Sequence, residues 1–209
     1  MRPGGVLAVL NDLDAACDRA EYEAWYQDDH MPDRLAVPGF RHARRYRRAD
    51  GPGQEYFTFY ETDSPAVLRT PAYVARLAAP TDATVRLMRH FRAMCRSICA
   101  VAHDAGGGIG GFVAVLGNPT APPALPFTPA PGGAVTRIRL WRAVEDLAVN
   151  PEASLRPGSD TGLAALLVVE GTHAEAVRNA TAAAAAALGL PGQPSLYTLI
   201  YASPQAHSA

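Results

Sequence analysis

The sequence contains no lysine: all 19 of its basic residues are arginine. That absence excludes a lysine Schiff base, a P-loop lysine and any lysine nucleophile. Cysteine is scarce too. Cys17, Cys95 and Cys99 are odd in number and form no CxxC pair, so neither a disulfide framework nor a thiolate zinc site is indicated, and a reducing compartment fits. Nor is there an excess of one charge. The 19 basic residues face 20 acidic ones, for a net charge of −1, so no global field holds a phosphate backbone or an anionic membrane. Neither nucleic acid nor a membrane is expected as a partner. Apolar runs such as 5–10 and 163–169 fall far short of the roughly 20 residues that cross a bilayer, and the first residues carry no small-residue cleavage pattern. A soluble cytoplasmic protein is expected.

What is present is enough apolar material, 48% of 209 residues, for a substantial core. Residues 6–10 read as a strand covered on both faces. Asp18 and Glu21 have capping-box spacing, which predicts a helix from about Arg19 that carries Tyr22, Trp25, Tyr26, Asp29 and His30 and is disrupted near its end by Pro32. Residues 40–48 and 56–60 form a hairpin around the turn signal Asp50-Gly51-Pro52-Gly53. Ser64-Pro65, Thr70-Pro71 and Thr81-Asp82 start a broken helical region from 65 to about 92, and 94–101 returns to strand. This β-α-β-β-α-β order is that of a ferredoxin-like unit.

The second half repeats the first. Residues 4–10 and 110–116 share five identities in seven positions, and Glu61 and Arg69 match Glu170 and Arg178 at the same separation. Strands are expected at 134–143, 163–170 and 195–202, with a helix at 173–188. Residues 117–133, with six prolines, cannot sustain a counterpart of the first helix. The fold class is therefore α+β: two tandem ferredoxin-like units forming an intramolecular α/β barrel, the second lacking its first helix. The divisions are 1–104 for the unit with the active site, 105–111 for a glycine-rich linker, and 112–209 for a degenerate second unit. The glycine run precedes a strand, whereas phosphate loops follow one, so it reads as a linker. The small residues 182–187 would seat their helix close on the sheet, which leaves the first half as the place for a cavity.

Tyr22, Tyr26 and His30 lie on one helical stripe, with Trp25 and Asp29 beside it. An imidazole among phenols can move protons near neutrality; core packing with a capping histidine is the alternative. Strand alternation puts His42, Arg44 and Tyr46 on the face of Phe40, taken as inward, so Arg44 is the arginine expected to hold a developing oxyanion. Tyr60 and His90 complete the candidate substrate contacts. Asp28, Asp29 and His30 point about 100° apart on a helix and cannot share one ion, so no metal is expected. No GxSxG elbow is present.

The run Trp25-Tyr26-Gln27-Asp28-Asp29-His30-Met31-Pro32, followed by Pro38-Gly39-Phe40 and Arg44-Arg45-Tyr46, resembles the W-Y-x-x-H-x-P … P-G-F … R-R-Y pattern of EthD-like and related members of the dimeric α/β-barrel superfamily. The resemblance implies ferredoxin-like units paired sheet to sheet, as homodimers or in one chain, and a ligand between sheet and helices. It also implies an acid–base role for a histidine placed like His30. The expectation is a cofactor-free enzyme of the cyclase, dehydratase or decarboxylase type, from secondary metabolism or aromatic catabolism, acting on a small aromatic or polyketide-like molecule. His30 and Tyr26 with Arg44 would be catalytic. A cofactor-independent monooxygenase, or a protein that binds haem or another small ligand without turnover, are the alternatives. The only partner expected beyond substrate is a second copy of the pseudo-dimer.

Overall fold

A computed structural model describes residues 3–121, 131–144 and 150–203. Eight strands close into an entirely antiparallel barrel: β1 (Gly5–Leu13), β2 (Phe40–Asp50), β3 (Tyr56–Thr62), β4 (Phe91–Gly106), β5 (Phe112–Asn118), β6 (Val135–Ala143), β7 (Ala165–Gly171) and β8 (Ser195–Ala202). Around the barrel they run β1-β3-β2-β8-β5-β7-β6-β4. Strands 1 to 4 thus stand in the order 4-1-3-2, and strands 5 to 8 in the matching order 8-5-7-6. Two seams join these sets, β2 with β8 and β4 with β6. Closure leaves no free sheet edge.

The first half carries the helices. Asp18 caps α1 (Arg19–Trp25) by accepting from the backbone N–H groups of Ala20 and Glu21. The helix does not stop before Pro32. It widens into a π-helical turn, Tyr26–His30, where the Met31 N–H reaches back to the Tyr26 carbonyl, and continues as α2 (Met31–Leu35). Pro32 sits in the first turn of α2, where its missing N–H costs little. A 3₁₀ turn (Pro65–Arg69) leads to α3 (Pro71–Leu77) and α4 (Asp82–Met88), whose N-termini are capped by the Thr70 and Thr81 hydroxyls. The second half has a 3₁₀ turn (Pro151–Leu155) and α5 (Ala174–Leu188), which ends on left-handed Gly189. Most of the proline-rich segment expected to lack a helix, residues 122–130, lies outside the described residues.

Three apolar layers result. One lies between the first-half strands and α1–α4, around Leu7, Val9, Tyr22, Tyr60 and Phe91. A second fills the barrel lumen with Val6, Phe57, Phe59, Trp141 and Tyr197. The third lies beneath α5. β4 runs on to Gly106, so the connection is shorter than expected. Gly110 passes so close to Gly171 that a Cβ there would fall 2.4 Å from its backbone.

Two expectations are corrected by strand pairing. Val6 lies opposite Glu61 and Val113 opposite Glu170, so the match of 4–10 with 110–116 is out of phase by one residue. In a strand that shift exchanges the two faces. In β2 a bulge between Phe40 and His42 breaks the alternation. Phe40 and Ala43 therefore belong to the layer under the helices, whereas Tyr46 belongs to the lumen. Among the described residues, no helix is long and apolar enough to cross a membrane.

Candidate active site

The π-helical turn places the buried His30 ring against Trp25 (4.6 Å between centroids) and Tyr26 (5.0 Å). The Trp25 indole N–H donates to Thr84, 3.2 Å away, which anchors the turn to α4. His30 faces a cavity between the sheet and the helices, with Tyr26, Tyr60, Tyr73, Met88, Met94 and Arg96 among its walls and Leu7 and Val9 on its floor. The second half closes it. Arg34 of α2 pairs with Glu152 of the Pro151–Leu155 turn and with Asp33 at 2.6 Å, and Arg156 donates to the Glu152 carbonyl at 3.1 Å while pairing with Asp160. The cavity's free volume is about 30 Å³, the share of one water in the liquid.

Charge sets the chemistry of this cavity. Burial, then the guanidinium groups of Arg34, Arg45 and Arg156, hold the His30 pKa well below its usual 6.5, so the imidazole is neutral at pH 7. Burial pushes the Tyr60 phenol well above its ordinary range. Its hydroxyl faces Tyr26 without a well-formed hydrogen bond. Behind these groups the fully buried Arg45 lies 4.7 Å from the Tyr22 ring, 4.3 Å from Tyr26 and 4.7 Å from Tyr56, with its Nε and Nη2 unpartnered. A neutral base and a phenol, backed by guanidinium groups held in place by Glu152, Asp160 and Glu23, together suit a substrate oxygen that gains negative charge.

Of the expected residues, the structure brings His30, Tyr26 and Tyr60 to one cavity, with Trp25 supporting the imidazole. The others lie elsewhere. Arg44 points into the lumen, where it grips Glu170 at 2.8 and 2.9 Å, because the bulge at residue 41 reverses the assumed phase. Tyr46 follows it, 3.4 Å from Glu170. His42 lies opposite Glu61 at the charged end of the barrel, its pKa lowered by burial and by Arg44, Arg137 and Arg41 against the pull of Glu61. Tyr22 packs on Tyr56 and accepts from Asn11 at 3.4 Å. Asp29 accepts from Thr81 at 2.9 Å. His90 meets Asp14 at 2.9 Å near the surface. Sequence reasoning missed Arg34, Tyr73, Glu152 and Arg156; Arg34 stood four residues after His30, a helical-neighbour signal, whereas the last two come from the other half of the chain.

Among the described residues no three His, Cys, Asp or Glu side chains converge as metal ligands.

No protein-family model matches the chain, and no curated protein matches its sequence. Solved structures do resemble it. An anthrone oxidase-like protein superposes with a TM-score of 0.61 at 12% identity, covering 100% of this chain and 95% of that one. A putative monooxygenase from Fusobacterium nucleatum subsp. nucleatum gives 0.51 at 8% identity, with 97% and 95% covered. A mutant chlorite dismutase from Candidatus Nitrospira defluvii in complex with cyanide gives 0.51 at 9% identity, with 96% and 92% covered. The chain shares the overall fold of these structures.

Proposed function

We propose that the chain is a cofactor-free acid–base enzyme whose substrate is a small aromatic molecule with a phenolic or enolisable group. The observation that carries this reading is the neutral, buried His30 at one cavity with Arg34, Arg156 and the Tyr60 hydroxyl, and with Arg45, paired to Glu23, behind that wall. The substrate's O–H or activated C–H proton passes to the imidazole, and the electron pair stays as phenolate or enolate, which Tyr60 meets with a hydrogen bond and the arginines with charge. The developing anion raises the His30 pKa, so the proton transfer is supported by the charge it creates. A ring-sized substrate does not fit the closed cavity; the flexible Met88 and Met94 and the Pro151–Leu155 turn are the parts that yield.

The names of the first two neighbours favour one outcome after deprotonation, in which the carbanion or phenolate gives electrons to dioxygen, as a cofactor-independent monooxygenase would. Cyclisation, dehydration or decarboxylation is the other outcome. The tandem reading belongs to the same proposal: units 1–104 and 112–209, each ferredoxin-like, joined by 105–111. Its support is the matching strand order of the two halves. The segment from Trp25 to Tyr46 is its EthD-like part.

The test is an oxygen electrode with hydroquinone as probe, run alongside proton NMR in deuterated buffer with small enolisable aryl ketones. Oxygen uptake lost in His30→Ala supports the oxygenase branch; deuterium incorporation without oxygen uptake supports the other. His30→Ala retaining full rates in both assays overturns the assignment.

A further inference from the structure

The lumen holds a second cavity, at the barrel end away from the Glu61–Glu170 charges, with a volume of about 270 Å³. We propose that it is a binding site for a small neutral aromatic compound carrying one hydrogen-bond acceptor, such as a ketone or ether oxygen. An eight-stranded barrel is just wide enough to be filled by its own side chains or to hold one small ligand. This barrel does both, at opposite ends. Phe57, Phe59, Tyr46 and Trp141 pack ring against ring across the middle. Beyond them the buried Leu10, Cys95 and Val115, with Leu163, wall an unfilled space.

Three observations define the ligand. No Asp, Glu, Arg or His lines this cavity, although the chain has 39 charged residues, so an ion entering it would lose its hydration without a partner. The Tyr197 hydroxyl lies in the wall, wholly buried, with the Ser195 hydroxyl as its polar neighbour but no well-formed hydrogen bond to it; burial pushes its pKa up, so it stays protonated and can donate to an acceptor. Its ring lies 5.7 Å from Phe57, an aromatic surface for a flat guest. Gly53 of the β2–β3 turn passes so close that a Cβ there would fall 2.6 Å from the Tyr197 hydroxyl. The cavity is open to solvent at the barrel mouth, where the exposed Pro52, Thr161 and Gly192 form the rim through which a ring enters.

Acetophenone, ethylbenzene and benzoate are the probes, titrated against the whole protein with methyl groups observed by NMR. The expected result is saturable binding of acetophenone with shifts at Leu10, Val115 and Leu163, weaker binding of ethylbenzene, and none of benzoate. Tyr197→Phe should weaken acetophenone by about fivefold to tenfold, one neutral hydrogen bond, and leave ethylbenzene unchanged. Thr161→Phe, at the rim, should weaken both. Shifts confined to Met88 and Met94, equal affinity for acetophenone and ethylbenzene, or no saturable binding up to the solubility limit would overturn the proposal. Shifts at Leu10, Val115 and Leu163 report this cavity and shifts at Met88 and Met94 report the His30 site, which shares no lining residue with it, so the two readings fail separately.

Discussion

The outer faces of the two halves of the barrel are built on the same strand order and covered in opposite ways. In the first half Arg45 pairs with Thr58 and Ala43 with Tyr60; at the corresponding places in the second, Leu140 pairs with Leu167 and Ile138 with Val169. The polar face lies under α1–α4 and keeps buried atoms without partners: Asn11 Oδ1, Arg45 Nε and Nη2, Thr58 Oγ1 and Tyr60 Oη. The apolar face lies under α5, whose Ala184 and Ala185 let it sit directly on the strands. Unpartnered polar atoms cost stability; the lumen holds others, Arg139 Nε, Trp141 Nε1 and Tyr197 Oη, whereas the layer beneath α5 is built from apolar side chains.

This contrast can be broken by experiment. The largest effect should be on turnover. His30→Ala, in the first half, is expected to lower it by about 10² to 10⁴-fold, the usual share of a general acid–base group, with circular dichroism unchanged. Glu170→Gln acts on the lumen common to both halves. It leaves Arg44 and Arg139 short of a buried countercharge and should cost about 3–5 kcal/mol in denaturant unfolding. Ala184→Leu, under α5, overfills a closed layer and should cost about 1–3 kcal/mol, while turnover at the His30 site holds.

A pH titration of stability sharpens the same comparison. Because His30 is held below its unfolded pKa of about 6.5, the unfolded chain takes up the proton first. Its stabilisation is therefore complete above about pH 6.5 and falls away as the pH drops toward the folded pKa. The loss is up to about 1.4 kcal/mol per pH unit for one proton. His30→Gln should flatten that part of the curve. Smallest of all, Tyr60→Phe should leave the unfolding free energy unchanged within about 1 kcal/mol, since the lost hydroxyl has no well-formed bond to break, yet slow turnover.

The first helix, its cap at Asp18 and the hairpin were legible because each rests on local signals: capping residues, turn dipeptides and alternation. His30 and Tyr26 were legible for the same reason. The face of Arg44 was not, because one extra residue in β2 inverts the alternation and no residue type announces it. The π-helical turn was equally silent; Pro32 reads as a terminator unless the preceding turn widens to receive it. Glu152 and Arg156 reach the cavity from more than a hundred residues away, through barrel closure, which no spacing in the sequence encodes.

At the closed end of the lumen, Arg44 bonds to Glu170, Arg139 to both Glu170 and Glu61, and Arg137 to Glu61 and Asp104. Residues 5–106 bring two acids and one base to this ring; residues 112–202 bring one acid and two bases. Neither set would neutralise a duplicate of itself. Two copies of the leading segment would meet with surplus carboxylates, and two of the trailing segment with surplus guanidiniums. The charges of this ring match only across the two halves, so fragments expressed separately are expected to favour mixed pairs over pairs of their own kind.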